Sequence, residues 1–96
     1  MPPSKRLEWT GRAEREYLQT LAFIAEDSGA RNAALVMQRI ERAESLLASN
    51  PGIGTPGRRA GTREYPVAHT GHTLIYRVAP SRIQILRFLH QRMNYR

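Results

Sequence analysis

A Pro- and Gly-rich segment, residues 51–62, divides this sequence into two halves with different patterns. Its twelve residues include four Gly and two Pro, which interrupt both helices and strands, so we predict a loop between two unlike regions. The loop carries two adjacent cations, Arg58 and Arg59. Loops that hold nucleotide phosphates end in Gly-Lys-Ser/Thr, which this segment lacks, so we interpret it as a connector.

Two amphipathic helices are predicted before the loop. Apolar residues recur every three or four positions from Ala13 to Ile24, and Thr10 is placed to cap this first helix. Ser28-Gly29 ends it, and the same periodicity runs from about Ala30 to the stop at Asn50-Pro51-Gly52. Because the connection is so short, the helices must form an antiparallel hairpin, and their apolar stripes need a surface to cover them.

The rest of the sequence favours strands. Leu7-Glu8-Trp9 alternates in polarity and predicts a short edge strand, whereas Glu64–Ala68, Thr73–Val78 and Arg82–Leu89 predict a three-stranded antiparallel meander. The last run is apolar on both faces, which favours a central or doubly covered strand. We therefore predict an α+β fold with a short N-terminal strand and an antiparallel helical hairpin packed on a twisted antiparallel β-sheet.

Length and composition limit the kind of protein. The 96 residues suffice for one domain, residues 1–96, with a single hydrophobic core. The sequence has no Cys and no apolar run of the roughly 18 to 20 residues that a membrane span needs, so we expect a cytoplasmic protein. The three His lie at positions 69, 72 and 90, which is no standard ligand spacing, so we predict neither a metal nor a cofactor.

The positive charge lies in the second half. Residues 51–96 hold eight Arg and one acid, Glu64, whereas residues 1–50 hold seven bases and seven acids, so the second half supplies the net charge of +7. Fourteen of the 15 bases are Arg, whose planar fork pairs with carboxylate or phosphate. The pattern predicts an anionic partner, either nucleic acid or an acidic protein segment, unless these cations serve solubility alone.

If the helices cover one face of the sheet, the other face stays open. Strand alternation places Arg63 and Tyr65 on one side of their strand and Ile75 and Arg77 on one side of the next. The sequence does not say which side meets the helices. We expect Arg63 and Arg77 to contribute to the open face.

Metal-independent RNA cleavage is one chemistry that such a face permits, because it needs a general base, a general acid and cations around the phosphate. The candidates are Glu64 or His72 as base, His90 as acid, Arg63, Arg77 and Arg92 as phosphate ligands, and Tyr65 or Tyr95 as base-stacking residues. Each also has a purely structural interpretation. Glu64 can pair with Arg77 across neighbouring strands, and His90 can pack at a strand end.

Three strings in order give the sequence a family resemblance: Gly61-Thr62-Arg63-Glu64-Tyr65, then Leu74-Ile75-Tyr76-Arg77-Val78, then the strand Ile83 to His90. Together with the helix end at Leu47 and Asn50-Pro51-Gly52, this order resembles the RelE/ParE superfamily of bacterial toxins, specifically its ParE branch. The likeness spans essentially the whole chain.

The resemblance implies the toxin of a type II toxin–antitoxin module, neutralised by a cognate acidic, ParD-like antitoxin that folds onto it in a hetero-oligomeric complex. ParE-type relatives inhibit DNA gyrase, so the resemblance implies gyrase binding rather than catalysis, without a membrane partner and with nucleic acid only indirectly involved.

The alternatives are a RelE-type, ribosome-dependent messenger ribonuclease using Glu64, Arg77 and His90, and a non-toxic basic interaction domain. Thr73, just ahead of the Leu74-Ile75-Tyr76 run, stands where the nuclease members carry a phosphate-holding arginine, which disfavours the ribonuclease. The target-binding candidates are Arg58, Arg59, Arg63, Tyr65, Arg77, His90, Arg92 and Tyr95.

Overall fold

The computed structural model describes residues 5–91 and contains two helices and five strands. They are β1 (Arg6–Trp9), α1 (Gly11–Ser28), α2 (Ala30–Ser49), β2 (Thr55–Pro56), β3 (Arg63–Val67), β4 (His72–Val78) and β5 (Arg82–His90). The predicted order is confirmed with one correction. The segment 51–62, interpreted only as a connector, contains the two-residue strand β2, because its extended backbone reaches the edge of β3.

The helical hairpin forms as its local sequence predicts. Thr10 caps α1, since its Oγ1 accepts a hydrogen bond from the Ala13 N–H at 3.2 Å. A single residue, Gly29, separates the two helices and has φ of +95°, a conformation that other residues adopt at a cost. The helices therefore pack against each other and present their apolar faces to the sheet.

The sheet has the strand order β1-β5-β4-β3-β2. The predicted antiparallel meander is confirmed for β3, β4 and β5, and β5 lies inside the sheet, as its apolar sequence predicts. The sheet is mixed rather than wholly antiparallel, because β1 pairs with β5 in parallel. Parallel neighbours need a long connection, and the chain between β1 and β5 supplies one through both helices and the first strands of the meander.

A β-bulge changes which side chains of β5 face the helices. The register with β4 shifts between Ile75 and Tyr76, so Ile75 lies opposite Arg87 while Tyr76 lies opposite Ile85. Leu86 is the extra residue. Because the bulge interrupts the alternation, the core residues Ile85 and Phe88 fall at an odd and an even position, which makes both faces of this strand look apolar in the sequence.

The core lies between the hairpin and the sheet. Its fully buried large side chains are Tyr76, Ile40, Leu47, Leu74, Ile83 and Ile85. Trp9 extends this core toward α1, because its ring stacks on Tyr17 at 5.1 Å and its Nε1 donates to Glu44 at 2.8 Å. The N-terminal strand is thereby joined to both helices.

The hydroxyl of Tyr76 joins the sheet to the start of the Pro/Gly segment. It donates to the Pro51 carbonyl at 2.8 Å and accepts from the Gly54 N–H at 2.9 Å. Gly54 has no room for a side chain, since an added Cβ would lie 2.7 Å from this hydroxyl. The Gly54 carbonyl in turn accepts from Arg63 Nη1 at 2.7 Å, so the segment is held from two strands.

We predict that Tyr76→Phe lowers the free energy of unfolding by about 2 kcal/mol, because it leaves the buried Gly54 N–H without its acceptor. Urea denaturation measures this change. Tyr17→Phe is the matched control, since the Tyr17 hydroxyl makes no hydrogen bond within residues 5–91 and its loss should change stability by less than about 0.5 kcal/mol. Equal effects of the two substitutions would contradict the role assigned to the Tyr76 hydroxyl.

Candidate functional site

Four arginines from different parts of the chain border one cleft of about 460 Å³ on the sheet face away from the helices. Arg12 comes from the first turn of α1, Arg59 from the segment between β2 and β3, and Arg77 from β4. Ile75 and Leu86 give the cleft apolar surface. The remaining lining residues are Thr10, Ala60, Thr62 and Arg87. We call this the arginine cleft.

Arg87 is neutralised by a carboxylate from α1. Its Nε lies 3.1 and 3.0 Å from the two Glu16 carboxylate oxygens, and its Nη2 lies 2.7 Å from Oε2. The same carboxylate accepts the Phe88 N–H at 3.1 Å. Burial alone would raise the pKa of Glu16, but the hydrogen bonds from Arg87 and Phe88 and the charges of Arg87 and Arg12 together lower it. The ion pair therefore fixes α1 against β5 and adds no net charge to the cleft.

The other three arginines keep the cleft positive. Within residues 5–91, no carboxylate lies within 4.0 Å of a guanidinium of Arg12, Arg59 or Arg77. All three side chains are exposed. A guanidinium binds a carboxylate or phosphate through two parallel hydrogen bonds, and the apolar floor can pack against a neighbouring hydrophobic group. The cleft is therefore suited to an anionic partner that also has an apolar part.

Local hydrogen bonds hold Arg59 at the cleft. The Arg59 carbonyl accepts from both the hydroxyl of Thr62, at 2.7 Å, and its N–H, at 3.2 Å. The Thr62 carbonyl accepts from the Gly57 N–H at 2.8 Å, and a Cβ at Gly57 would overlap Thr62. The backbone that carries Arg59 is therefore a closed turn.

Two of the predicted target-binding residues, Arg59 and Arg77, lie together in the arginine cleft. The expectation that Arg63 shares their face is wrong, because Arg63 lies opposite Tyr76 in the register and so projects toward the helix side. Tyr65, opposite Leu74, faces the same way. Arg63 instead binds the Gly54 carbonyl. Arg92 and Tyr95 lie outside the described residues.

The residues considered for RNA cleavage are spread along the sheet. Glu64 accepts the Arg58 N–H at 3.1 Å and lies 3.8 Å from Arg58 Nε. Glu64 and His90 border one shallow depression. His90, however, pairs with His72, and His72 is five residues along β4 from Arg77. At about 3.3 Å per residue that separation is roughly 16 Å. The strand positions of His90 and Arg77 are thus too far apart to place both beside one phosphate.

His72 packs as part of the structure. Its ring is half-buried and stacks on Phe88 at 4.7 Å, and its Nδ1 lies 2.9 Å from the Thr70 carbonyl. Burial lowers the pKa of His72, and the hydrogen bond to Thr70 partly opposes this change. The neutral ring is therefore favoured at this position.

No group of three or more His, Asp or Glu residues within residues 5–91 is arranged to hold a metal ion. Neither helix in that range has the length and apolar character to cross a membrane.

Sequence reasoning missed Arg12, Glu16 and Arg87 as parts of this face. Arg12 and Glu16 are four residues apart and thus neighbours on one side of α1, which was a usable signal. A second usable signal was the interruption of strict alternation at Leu86-Arg87. It marks the bulge, which determines the face of the sheet on which Arg87 lies.

Comparison with known proteins gives a consistent result. Residues 7–95 match the model of the family described as the ParE toxin of the type II toxin–antitoxin system parDE. The Y4kP protein of Sinorhizobium fredii is 35% identical over 91 residues, which are 95% of this chain and 93% of that protein. Toxin ParE1 of Caulobacter vibrioides is 37% identical over 87 residues, 88% of each chain.

Solved structures resemble the fold as well. A chain of the chromosomal ParDE system from Pseudomonas aeruginosa superposes with a TM-score of 0.81 and 25% identity, over 91% of this chain and 96% of that one. The toxin–antitoxin complex RelBE2 of Mycobacterium tuberculosis superposes with a TM-score of 0.63 and 24% identity, over 94% of each chain. The second similarity concerns the fold alone.

We predict that Glu16→Gln lowers the free energy of unfolding by about 2 kcal/mol near neutral pH, because it removes a charged hydrogen-bond partner of Arg87. The pKa of Glu16 is lower in the folded chain than its ordinary value of 4.5, so its stabilisation is complete above that value and disappears as the pH falls through the folded pKa. Urea denaturation of wild type and variant at pH 7 and pH 3 should show the difference shrinking in acid.

Glu14→Gln is the control, since Glu14 is exposed in the same turn of α1. It should be nearly neutral at both pH values. A Glu16→Gln effect of the same size at pH 3 and pH 7 would contradict the ionic contribution of this pair.

Proposed function

The chain belongs to the ParE toxin family of type II toxin–antitoxin systems, and we propose that it arrests growth by binding DNA gyrase through the arginine cleft. It acts as an inhibitor rather than a catalyst and works in the cytoplasm, where gyrase meets DNA. A cognate acidic antitoxin neutralises it. The observation that carries the proposal is the convergence of Arg12, Arg59 and Arg77 on one open cleft.

The construction of the cleft favours binding over chemistry. Its lining residues include arginines, threonines and aliphatic side chains but no histidine or carboxylate within the described range. Arginine stays protonated at all physiological pH values, so it provides charge and orientation but no general base. Such a surface suits a partner whose acidic and apolar groups lie close together.

The ribonuclease alternative has weaker support. It requires Glu64, Arg77 and His90 to act on one phosphodiester, yet Glu64 pairs with Arg58 and His90 lies at the opposite end of β4 from Arg77. The remaining alternative, a non-toxic basic interaction domain, predicts no growth arrest at all. Both are outcomes of the experiment below.

An antitoxin partner is supported by charge and by the relatives. The chain has a net charge of +7, which an acidic segment would neutralise on binding. The similar Pseudomonas aeruginosa chain comes from a ParDE system, and the family that this chain matches is that of the parDE toxins. A segment that folds on binding can cover a large area of a small protein.

We predict that the double substitution Arg59→Ala and Arg77→Ala weakens gyrase inhibition by about 30-fold or more, since each guanidinium removed from a bound anion costs about 1 to 3 kcal/mol. The measurement is the concentration of purified, antitoxin-free chain that halves supercoiling of relaxed plasmid. The double substitution Arg15→Ala and Arg31→Ala is the control. It removes two exposed helical arginines that do not line the cleft and should leave the value within about threefold.

The same purified chain is tested for trapped gyrase–DNA breaks and, in parallel, for cleavage of messenger RNA on ribosomes. Trapped breaks without message cleavage support the proposal. Message cleavage without gyrase inhibition would replace it with the ribonuclease, and neither activity in a chain that does not arrest growth would favour the interaction domain.

A further inference from the structure

A stripe of exposed side chains on α1 is symmetric about its central residue. Its members are Arg12, Arg15, Gln19, Phe23 and Glu26, and all five are exposed. Counted from the central glutamine, the others lie four and seven residues away in each direction. They therefore share one side of the helix over about 21 Å, at 1.5 Å per residue. We call this the α1 stripe.

Phe23 gives the stripe an apolar centre of contact. Its ring is 65% exposed, more than any other large hydrophobic side chain among residues 5–91. It also borders a cavity of about 420 Å³, whose apolar lining includes Ile24, Phe88 and Leu89. An exposed ring beside an apolar cavity forms a continuous apolar surface, and such surfaces mark interaction sites more often than single exposed residues do.

The charges of the α1 stripe are separated along the helix. Arg12 and Arg15 lie toward its N-terminal end and Glu26 toward its C-terminal end. Within residues 5–91, none of these three side chains has an oppositely charged group within 4.0 Å. A second copy of α1 that runs antiparallel therefore brings unlike charges together, whereas a parallel copy brings like charges together. This pattern specifies a second copy of the same helix as the partner.

The other acids of α1 leave this pattern intact. Glu16 is already bound by Arg87. Glu14 lies about 140° around the helix from Gln19, at 100° per residue, and so is outside the stripe. Asp27 adds to the acidic end. The stripe thus keeps one basic end and one acidic end.

An antiparallel copy centred on Gln19 gives every member of the stripe a partner. Arg12 lies level with the partner's Glu26, and Arg15 lies level with the partner's Phe23, where a guanidinium can stack on the ring. The two Gln19 amides meet at the two-fold axis, where each can donate to and accept from the other. Because Gln19 also lines the apolar cavity, the partner's Phe23 lies beside its mouth. A two-fold interface makes each contact away from the axis twice.

We propose that two copies of this chain associate through the α1 stripe, with the helices antiparallel and centred on Gln19. The proposal goes beyond the inhibitory function and does not depend on it. It has a consequence for the arginine cleft, because Arg12 belongs to both surfaces. The partner's Glu26 occupies that cation, so the associated chain has Arg59 and Arg77 left for a target.

Charge reversal tests the antiparallel pairing. Sedimentation equilibrium of the purified chain measures the dissociation constant of the dimer. Arg12→Glu or Glu26→Arg alone brings like charges together and should weaken the dimer at least about tenfold, whereas the chain with both substitutions should return to within about threefold of wild type. Glu14→Arg is the matched control for Glu26→Arg, because it makes the same change at an exposed position of α1 outside the stripe. It should leave the constant within about threefold.

Phe23→Ser tests the apolar contact. It should weaken the dimer at least about tenfold. Leu18→Ser is the control, since Leu18 is 53% exposed on the same helix but lies about 140° around it from Phe23, and it should stay within about threefold of wild type. Urea unfolding of dilute protein checks that both variants are folded. A wild-type chain that stays monomeric at its highest soluble concentration, a double reversal no tighter than the single ones, or equal losses from Phe23→Ser and Leu18→Ser would overturn the proposal.

Discussion

The buried hydroxyl of Tyr76 is the interaction on which the rest of this structure depends. It lies at the centre of the sheet and holds both Pro51, where α2 has just ended, and Gly54, where the Pro/Gly segment turns toward β3. This connection fixes the start of the segment that carries Arg59, while the bond from Arg63 and the pairing of β2 with β3 hold the residues that follow. A core tyrosine thus helps to set where a surface arginine lies.

The sheet separates two basic surfaces with different construction. On the open face, Glu16 neutralises Arg87 and fixes α1 against β5, while Arg12, Arg59 and Arg77 keep their charge available. On the helix side of the sheet, Arg39, Arg42 and Leu46 border a second basic groove, between α2 and β3.

Much of this fold is predictable from sequence because its signals are local. Thr10 and Gly29 mark helix ends by capping and backbone conformation, and alternation identifies the meander. The parallel pairing of β1 and the short strand β2 depend on long-range contacts that no local pattern specifies. The site was predicted less well for the same reason: composition identified the arginines, but only the register shows that Arg63 faces the helices.

Site-specific photocrosslinking in cells that express the toxin without its antitoxin tests directly whether gyrase binds at the arginine cleft. A photoreactive residue at Gln84, which lies opposite Arg77 on β5, reports on the arginine cleft, and one at Gln38, exposed on α2, is the control. Gyrase binding at the arginine cleft predicts a crosslink to a gyrase subunit from position 84 and none from position 38. Crosslinks from position 84 to ribosomal components, or to gyrase from position 38 alone, would contradict it.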